Sequence, residues 1–369
     1  MSSGSPFAYA RHRPEETVLY QLVQAHLETL LARARERTES GLGYPAFVEK
    51  ALREYLRCGI LAHGFCRCVC QECGFERAVP FSCKTALCPS CHARRMSEVA
   101  AQLCDERLPQ IPYRQWVMSF PRWVRIQLLR DKQLFAKATR AFIRRVFAWQ
   151  RKQARALGIR EPLCGAIAIP QFFGGRMNAN PHIHALFCDG VFTRGEDGEL
   201  RFHRLFAPTP EELYALTIQV GKRVLAALAK AREPELPEDD DQVLLAHDRA
   251  AATAWPSAPQ PAAPALPSPG LSAFVEGFSL HAGVVVEAHD RAALERLIRY
   301  TARFPLSEDR LSLAPDGRVV VELRRPWPTT GETELVFEPV EFLRKLIALM
   351  PPPRTHRVRY FGIFASHAK

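Results

Sequence analysis

The chain reads as an α+β protein with antiparallel sheet pairing, on three observations. Helical stripes of period 3.6 and short apolar runs of strand length mix along the chain instead of alternating in a regular βα repeat. Two strand-like runs, residues 165–172 and 182–188, are separated by the turn formers Gly174, Gly175, Asn178, Asn180 and Pro181, so they are expected to pair as neighbours in a hairpin. Eight of the eleven cysteines crowd between Cys58 and Cys91, where apolar residues are scarce and a small fold needs a staple.

Taken in order, residues 15–37 place Leu19, Leu22, Val23, Leu27, Leu30 and Leu31 at helical spacing, and Phe47, Val48, Leu52, Tyr55 and Leu56 repeat the pattern after Pro45. Residues 1–62 are therefore expected to be helical. A cysteine-rich domain over 63–112 comes next, and a third region over 113–369 begins with a strand at 115–120. A helix over 131–153 turns Leu134, Phe135, Ala138, Phe142, Val146 and Trp149 inward. Thr209, Pro210 and Glu212 supply an N-cap hydroxyl, a first-turn proline and a capping-box carboxylate for a helix running to about residue 232. Residues 233–272 hold an acidic run and the tract PSAPQPAAPALPSPG, which buries too little surface to fold and reads as a flexible insertion. Beyond it come a strand at 278–286, a helix at 290–303, a hairpin turning at Pro315, Asp316 and Gly317, and a helix at 340–349 before three prolines.

At 369 residues, 47% apolar and 24% charged, the chain suits two or three globular cores and excludes a disordered or fibrous one. No apolar run reaches the roughly 20 residues of a membrane span, and MSSGSPFAYARHRPEE lacks a signal-peptide core, so a cytoplasmic, nucleoid-associated protein is expected. The net charge of +11, carried mainly by arginine, points to a polyanionic partner unless it reflects genome composition alone.

Cys70-x-x-Cys73 and Cys88-x-x-Cys91 stand 14 residues apart, close to the spacing of four-thiolate zinc ribbons. Four thiolates at about 2.3 Å close the coordination shell, so the predicted zinc is structural. Cys66, Cys68, Cys83, His63 and His92 lie close enough in sequence to exchange with one ligand or to hold a second ion. Reduced buried thiols are the plain alternative, but they do not account for the paired spacing. Arg94 and Arg95 beside the second pair suit phosphate contacts.

His182-Ile183-His184 falls within an apolar strand, and a period of two sends both imidazoles to one face, where they can grip a divalent ion. Twelve histidines give such a triplet by chance about 0.4 times in a chain this long, so it is weak evidence alone. A third ligand is required, and spacing does not choose between Gln171 and His281, either of which is equally at home as a hydrogen-bonded core residue. Tyr300 sits about 110° from the centre of its helix's apolar stripe, at the margin of the core, where its hydroxyl could reach a metal-bound phosphate.

The segments PFSCKTALCPSCHARRMSE, VMSFP, QFFGGRMNANPHIHALFCDGVF, FSLHAGV, LERLIRYTARFPLSEDRLSL and RYFGIFA, in this order, resemble the rolling-circle transposases of bacterial insertion sequences of the IS-ninety-one type. The resemblance implies an N-terminal zinc-binding domain joined to an HUH endonuclease domain, two histidines flanking a hydrophobic residue, over 113–369. His182 and His184 match the histidine pair, Gln171 a glutamine on the preceding strand, and Tyr300 the tyrosine that attacks DNA. Many relatives carry a second tyrosine four residues away, where this chain has Arg296 and Phe304. The resemblance further implies a transposase that nicks and rejoins single-stranded or melted DNA at transposon ends through a 5′-phosphotyrosine, with Mg2+ or Mn2+ on the histidines and Zn2+ on the cysteines. Arg299 and Arg303 would stabilise negative charge on the phenol oxygen, and Trp116, Trp123 and Trp149 are candidates for holding the strand.

Overall fold

The computed structural model describes residues 13–38, 40–230, 270–327, 330–350 and 356–365. Its helices are α1 (Val18–Arg37), α2 (Ala46–Tyr55), α3 (Pro89–Gln102), α4 (Arg122–Arg130), α5 (Lys132–Ala156), α6 (Pro210–Lys230), α7 (Arg291–Thr301) and α8 (Pro339–Ala348). Its strands are β1 (Phe65–Val69), β2 (Glu76–Pro80), β3 (Tyr113–Ser119), β4 (Gly165–Phe173), β5 (Ala179–Cys188), β6 (Gly190–Arg194) and β7 (Leu200–Arg204). They continue with β8 (Ser272–Val275), β9 (Phe278–Val286), β10 (Leu311–Leu313), β11 (Val319–Glu322), β12 (Glu334–Phe337) and β13 (Arg359–Gly362). Among the described residues every strand pairing is antiparallel, and the class is α+β. The expected insertion lies outside the described residues as far as 269, and its last residue, Ser272, opens β8. No helix among the described residues is long and apolar enough to cross a membrane.

The chain divides into two compact units, Met1–Ala93 with Leu306–Met350 and Arg94–Pro305 with Pro351–Lys369. In the first, α1 starts where the Thr17 hydroxyl accepts the Tyr20 amide, and its leucine stripe is buried throughout. Val48, Leu52 and Tyr55 bury the matching face of α2, and Phe342, Leu346 and Ile347 that of α8. Each such side chain contributes about 1.5–3 kcal/mol when fully buried, which is what holds these helices. The β1–β2 hairpin has no buried residue in either strand. A second small sheet, β10–β11–β12, turns at Pro315 to Gly317, where the Asp316 carboxylate accepts the Arg318 amide.

The second unit is built on a six-stranded sheet in the order β13-β4-β5-β3-β9-β8. Strand periodicity divides its side chains between two faces. On one, Trp116, Met118, Ile183, Ala185, Phe187 and Leu280 meet Phe135, Phe142 and Val146 of α5 and Leu213 and Val220 of α6. On the other, Ile167, Ile169, Leu186 and Val286 meet Met96 and Ala100 of α3 and Leu294 and Ile298 of α7. This second face is apolar at one end and polar at the other, because Gln171 of β4 and His182 and His184 of β5 share its parity. The sheet is further tied by a buried ion pair, in which Arg114 grips Asp189 through Nε and Nη2 at 2.7 and 3.2 Å while Nη1 donates to the Ala282 carbonyl at 3.0 Å.

Candidate functional site

Four sulfurs come together in the first unit: those of Cys58, Cys83, Cys88 and Cys91 all lie within 4.8 Å of one another. Ligands about 2.3 Å from a tetrahedral ion stand about 3.8 Å apart. The Sγ separations here are 3.8 Å for Cys58–Cys88, 3.5 Å for Cys58–Cys91 and 3.7 Å for Cys83–Cys91. The donor set therefore fits zinc in size, number and chemistry. Backbone amides support it, since Cys83 N–H donates to the Cys58 sulfur at 3.3 Å and Cys91 N–H to the Cys88 sulfur at 3.5 Å. Contact with Cys58 pushes the Cys83 and Cys88 thiols up and holds Cys91 below the ordinary thiol range. A coordinated dication would bring all four to thiolate.

Of the four ligands expected from the paired spacing, the structure brings Cys88 and Cys91 into this cluster and leaves Cys70 and Cys73 out of it. The reason is the hairpin. Its base adjoins Cys58 and Cys83, through the Gly59 amide on the Phe81 carbonyl and the Phe81 amide on the Gly64 carbonyl. Five paired residues per strand then carry Cys70 to the far turn, about 16 Å of ladder away. There Cys70 is exposed and its thiol is held low by the backbone amides of Cys73 and Glu72. Cys66, Cys68 and His63 are exposed, and His92 is buried on the helix that carries Cys91. Cys83 was a neighbour in sequence, but Cys58, at the end of α2, is brought in only by the tertiary fold.

The second constellation lies on the polar end of the main sheet. His182 Nε2 and His184 Nε2 are 3.0 Å apart, and Gln171 Oε1 is 3.3 Å from His184 Nε2. All three side chains are buried. The hydrogen-bond partners fix most proton positions. The Asn180 carbonyl can only accept, so His182 Nδ1 carries its hydrogen, at 2.7 Å, and Nε2 keeps a lone pair. The Thr301 carbonyl likewise takes the Gln171 amide nitrogen at 3.3 Å, which turns Oε1 toward the imidazoles. His184 Nδ1 faces the Gln115 amide at 3.1 Å, which can donate or, after rotation, accept. Gln115 was not singled out by spacing, because it sits on β3, the strand paired with the one that carries His184.

Burial holds both imidazoles neutral, at about 4 for His182 and about 3 for His184. Arg125 and Arg303 lower His182 further, and neighbouring His182 and Arg303 lower His184. Two neutral imidazoles and one amide oxygen match the donors that a divalent cation accepts. His281 shares the face but lies beyond β3, in register with Val117, which itself pairs with His184. Tyr300 is half exposed on α7, with the Arg303 guanidinium 4.3 Å from its ring centroid, and the next residue is Thr301, whose carbonyl holds Gln171. Arg299 pairs with Glu295 at 3.7 Å, and Arg94 with Glu98 at 3.0 Å, both on the surface, while Arg95 is exposed and acts on the partly buried Arg357. Trp116 is buried at 1%, whereas Trp123 is 57% exposed.

Residues 165–369, over half of the chain and including Gln171, both histidines and Tyr300, match the family profile described as "Putative transposase" (Y2_Tnp). The chain belongs to this transposase family. Residues 25–120 match a "Transposase zinc-binding domain" (Zn_Tnp_IS91), which contains the whole four-cysteine cluster. No curated protein and no solved structure matches the chain. As a transposase it acts on DNA, and its zinc-binding domain carries a structural four-thiolate site.

Proposed function

We propose that the chain is a single-tyrosine HUH transposase that nicks and rejoins single-stranded or melted DNA at transposon ends. The observation that carries the reading is the double role of Gln171, whose oxygen lies against His184 Nε2, itself 3.0 Å from His182 Nε2, while its nitrogen holds the peptide next to Tyr300. His182, His184 and Gln171 would hold Mg2+ or Mn2+, which when bound neutralises a non-bridging oxygen of the scissile phosphate. His281 is the less favoured third ligand, since a full strand separates it from the pair.

Tyr300 supplies the nucleophile. Its oxygen forms a bond to phosphorus as the bond from phosphorus to the 3′ oxygen breaks; the phenolic proton leaves, and the departing oxygen takes up a proton to become a 3′-hydroxyl. The 5′-phosphotyrosine retains the ester's energy, so the reverse reaction joins a strand without ATP. The half-exposed position of Tyr300 lets a polymer approach, and the Arg303 guanidinium stacks 4.3 Å from the centroid of its ring. With Arg296 and Phe304 at the flanking positions, one nucleophile serves each cycle.

The test is capture of a covalent adduct on single-stranded transposon-end oligonucleotides with Mg2+ or Mn2+. Tyr300→Phe should lose the denaturant-stable adduct yet bind the oligonucleotide, and His182→Ala should lose nicking while retaining the wild-type circular dichroism. Adduct formation by Tyr300→Phe, or undiminished nicking by His182→Ala, would overturn the proposal.

A further inference from the structure

We infer that Arg125, at the first turn of α4, forms a phosphodiester-binding position beside the histidine pair, holding the DNA strand there through its guanidinium fork. The inference rests on the proposed nuclease activity and adds to it a residue that neither the histidine motif nor the tyrosine implies.

The placement comes from the sheet. β3 ends at Ser119, which pairs with His182, and only Phe120 and Pro121 separate it from α4. The first turn of α4 therefore opens beside the strand end that carries His182. That turn has no side-chain cap and no acidic residue, so the positive end of the helix dipole is not offset locally. Val124 and Leu128 bury the other side of α4 in the core, which fixes the helix in place.

Arg125 itself is unusual. Its Nε donates to the Phe120 carbonyl at 2.6 Å, which anchors the guanidinium on the sheet-to-helix turn. Among the described residues that carbonyl is its one hydrogen-bond partner, and no carboxylate pairs with it. The side chain is nonetheless only partly exposed. A partly buried guanidinium without an anion is costly, because water is lost and nothing replaces it. Arg114, the other arginine drawn into the sheet, answers that cost with Asp189 at 2.7 Å. Arg125 instead faces more positive charge: Arg122 one turn earlier acts on it, and its own charge reaches His182. Arg303, just beyond the end of α7, acts on the same histidines. Arg125 thus stands beside the histidine pair with no carboxylate paired to it among the described residues, and its guanidinium fork matches the two non-bridging oxygens of a phosphodiester.

The experiment measures binding of fluorescent single-stranded oligonucleotides to the zinc-loaded full chain without added Mg2+ or Mn2+, where nothing is cut. Removing one phosphate contact flattens the plot of log affinity against log salt by about 0.7 for single strands. Arg125→Gln should show that loss, weaken binding alike across sequences and unfold at the wild-type temperature. A scan with single neutral methylphosphonates should find one position where wild type loses affinity and Arg125→Gln does not. An unchanged salt slope, or equal sensitivity of both proteins at every position, would overturn the assignment. Should Arg125→Gln fail to fold, Arg125→Lys takes its place: it should keep the slope while losing affinity at that one position, and a uniform loss along the strand would overturn the inference. Because no bond is cut in these measurements, their failure leaves the Tyr300 adduct result standing, and failure of the adduct leaves them readable.

Discussion

Replacing Cys58 by serine separates the zinc site seen in the fold from the one suggested by sequence spacing. Cys58 touches Cys88 at 3.8 Å and Cys91 at 3.5 Å and accepts the Cys83 amide, so it contributes to three edges of the cluster. A structural zinc supplies about 10–16 kcal/mol of folding free energy in peptide-sized sites near neutral pH. Whole-domain stabilities are only about 5–15 kcal/mol. The loss of one thiolate therefore removes a quantity comparable with everything that holds the segment together, and the melting temperature should fall by about 4–8 °C for each kcal/mol lost. Metal content of dialysed protein, by plasma mass spectrometry, and thermal unfolding report the two effects. Cys58→Ser and Cys83→Ser should each carry one zinc fewer per chain than wild type and melt earlier. Cys70→Ser, on an exposed turn outside the cluster, should match wild type in both. Loss of the zinc from Cys70→Ser together with its retention by Cys58→Ser would refute the geometric reasoning.

The second unit supports two more predictions. His182 and His184 titrate at about 4 and about 3 in the fold against 6.5 in the unfolded chain, so the unfolded chain takes up protons first. Stability is then fully present above about pH 6.5 and is lost as pH falls toward 4; urea midpoints of the metal-free chain at stepped pH should decline over this window, less steeply for His184→Gln, and parallel curves would argue against buried neutral imidazoles. Asp189→Ala strands a buried guanidinium on Arg114 and should cost about 3–5 kcal/mol, measured by denaturant unfolding, whereas a loss below about 1 kcal/mol would show that water reaches the guanidinium and solvates it.

Much of the fold was legible from periodicity. The stripe of Leu19, Leu22, Val23, Leu27, Leu30 and Leu31 is buried in α1, and Asp131 and Asp290, read as the first residues of their helices, are the N-caps that accept first-turn amides. Strand β9 spans the residues that its apolar run marked. These features are local, so a window of sequence contains their cause. The grouping of residues 306–350 with the N-terminal segment has no local cause, since it depends on α8 burying its face in a unit begun three hundred residues earlier.

The zinc cluster shows where local reading stops. Paired x-x spacing identifies which thiols lie close along the chain, as Cys88 and Cys91 do, but two pairs need not share an ion. Which pair meets which is decided by the hairpin, whose hydrogen-bonded length carries Cys70 and Cys73 away while its base holds Cys83 near the end of α2. The histidine face obeys the same logic. Period two places His182 and His184 on one side of β5, yet only cross-strand register states that Gln171 stands opposite His182, that β3 intervenes before His281, and that Gln115 backs His184. Register also puts the end of β3, and with it Arg125, next to His182. Ligand candidates written along one strand are therefore best ranked by the strands that flank it: a donor directly across the ladder stands about 5 Å away, whereas one separated by a further strand must span about twice that distance.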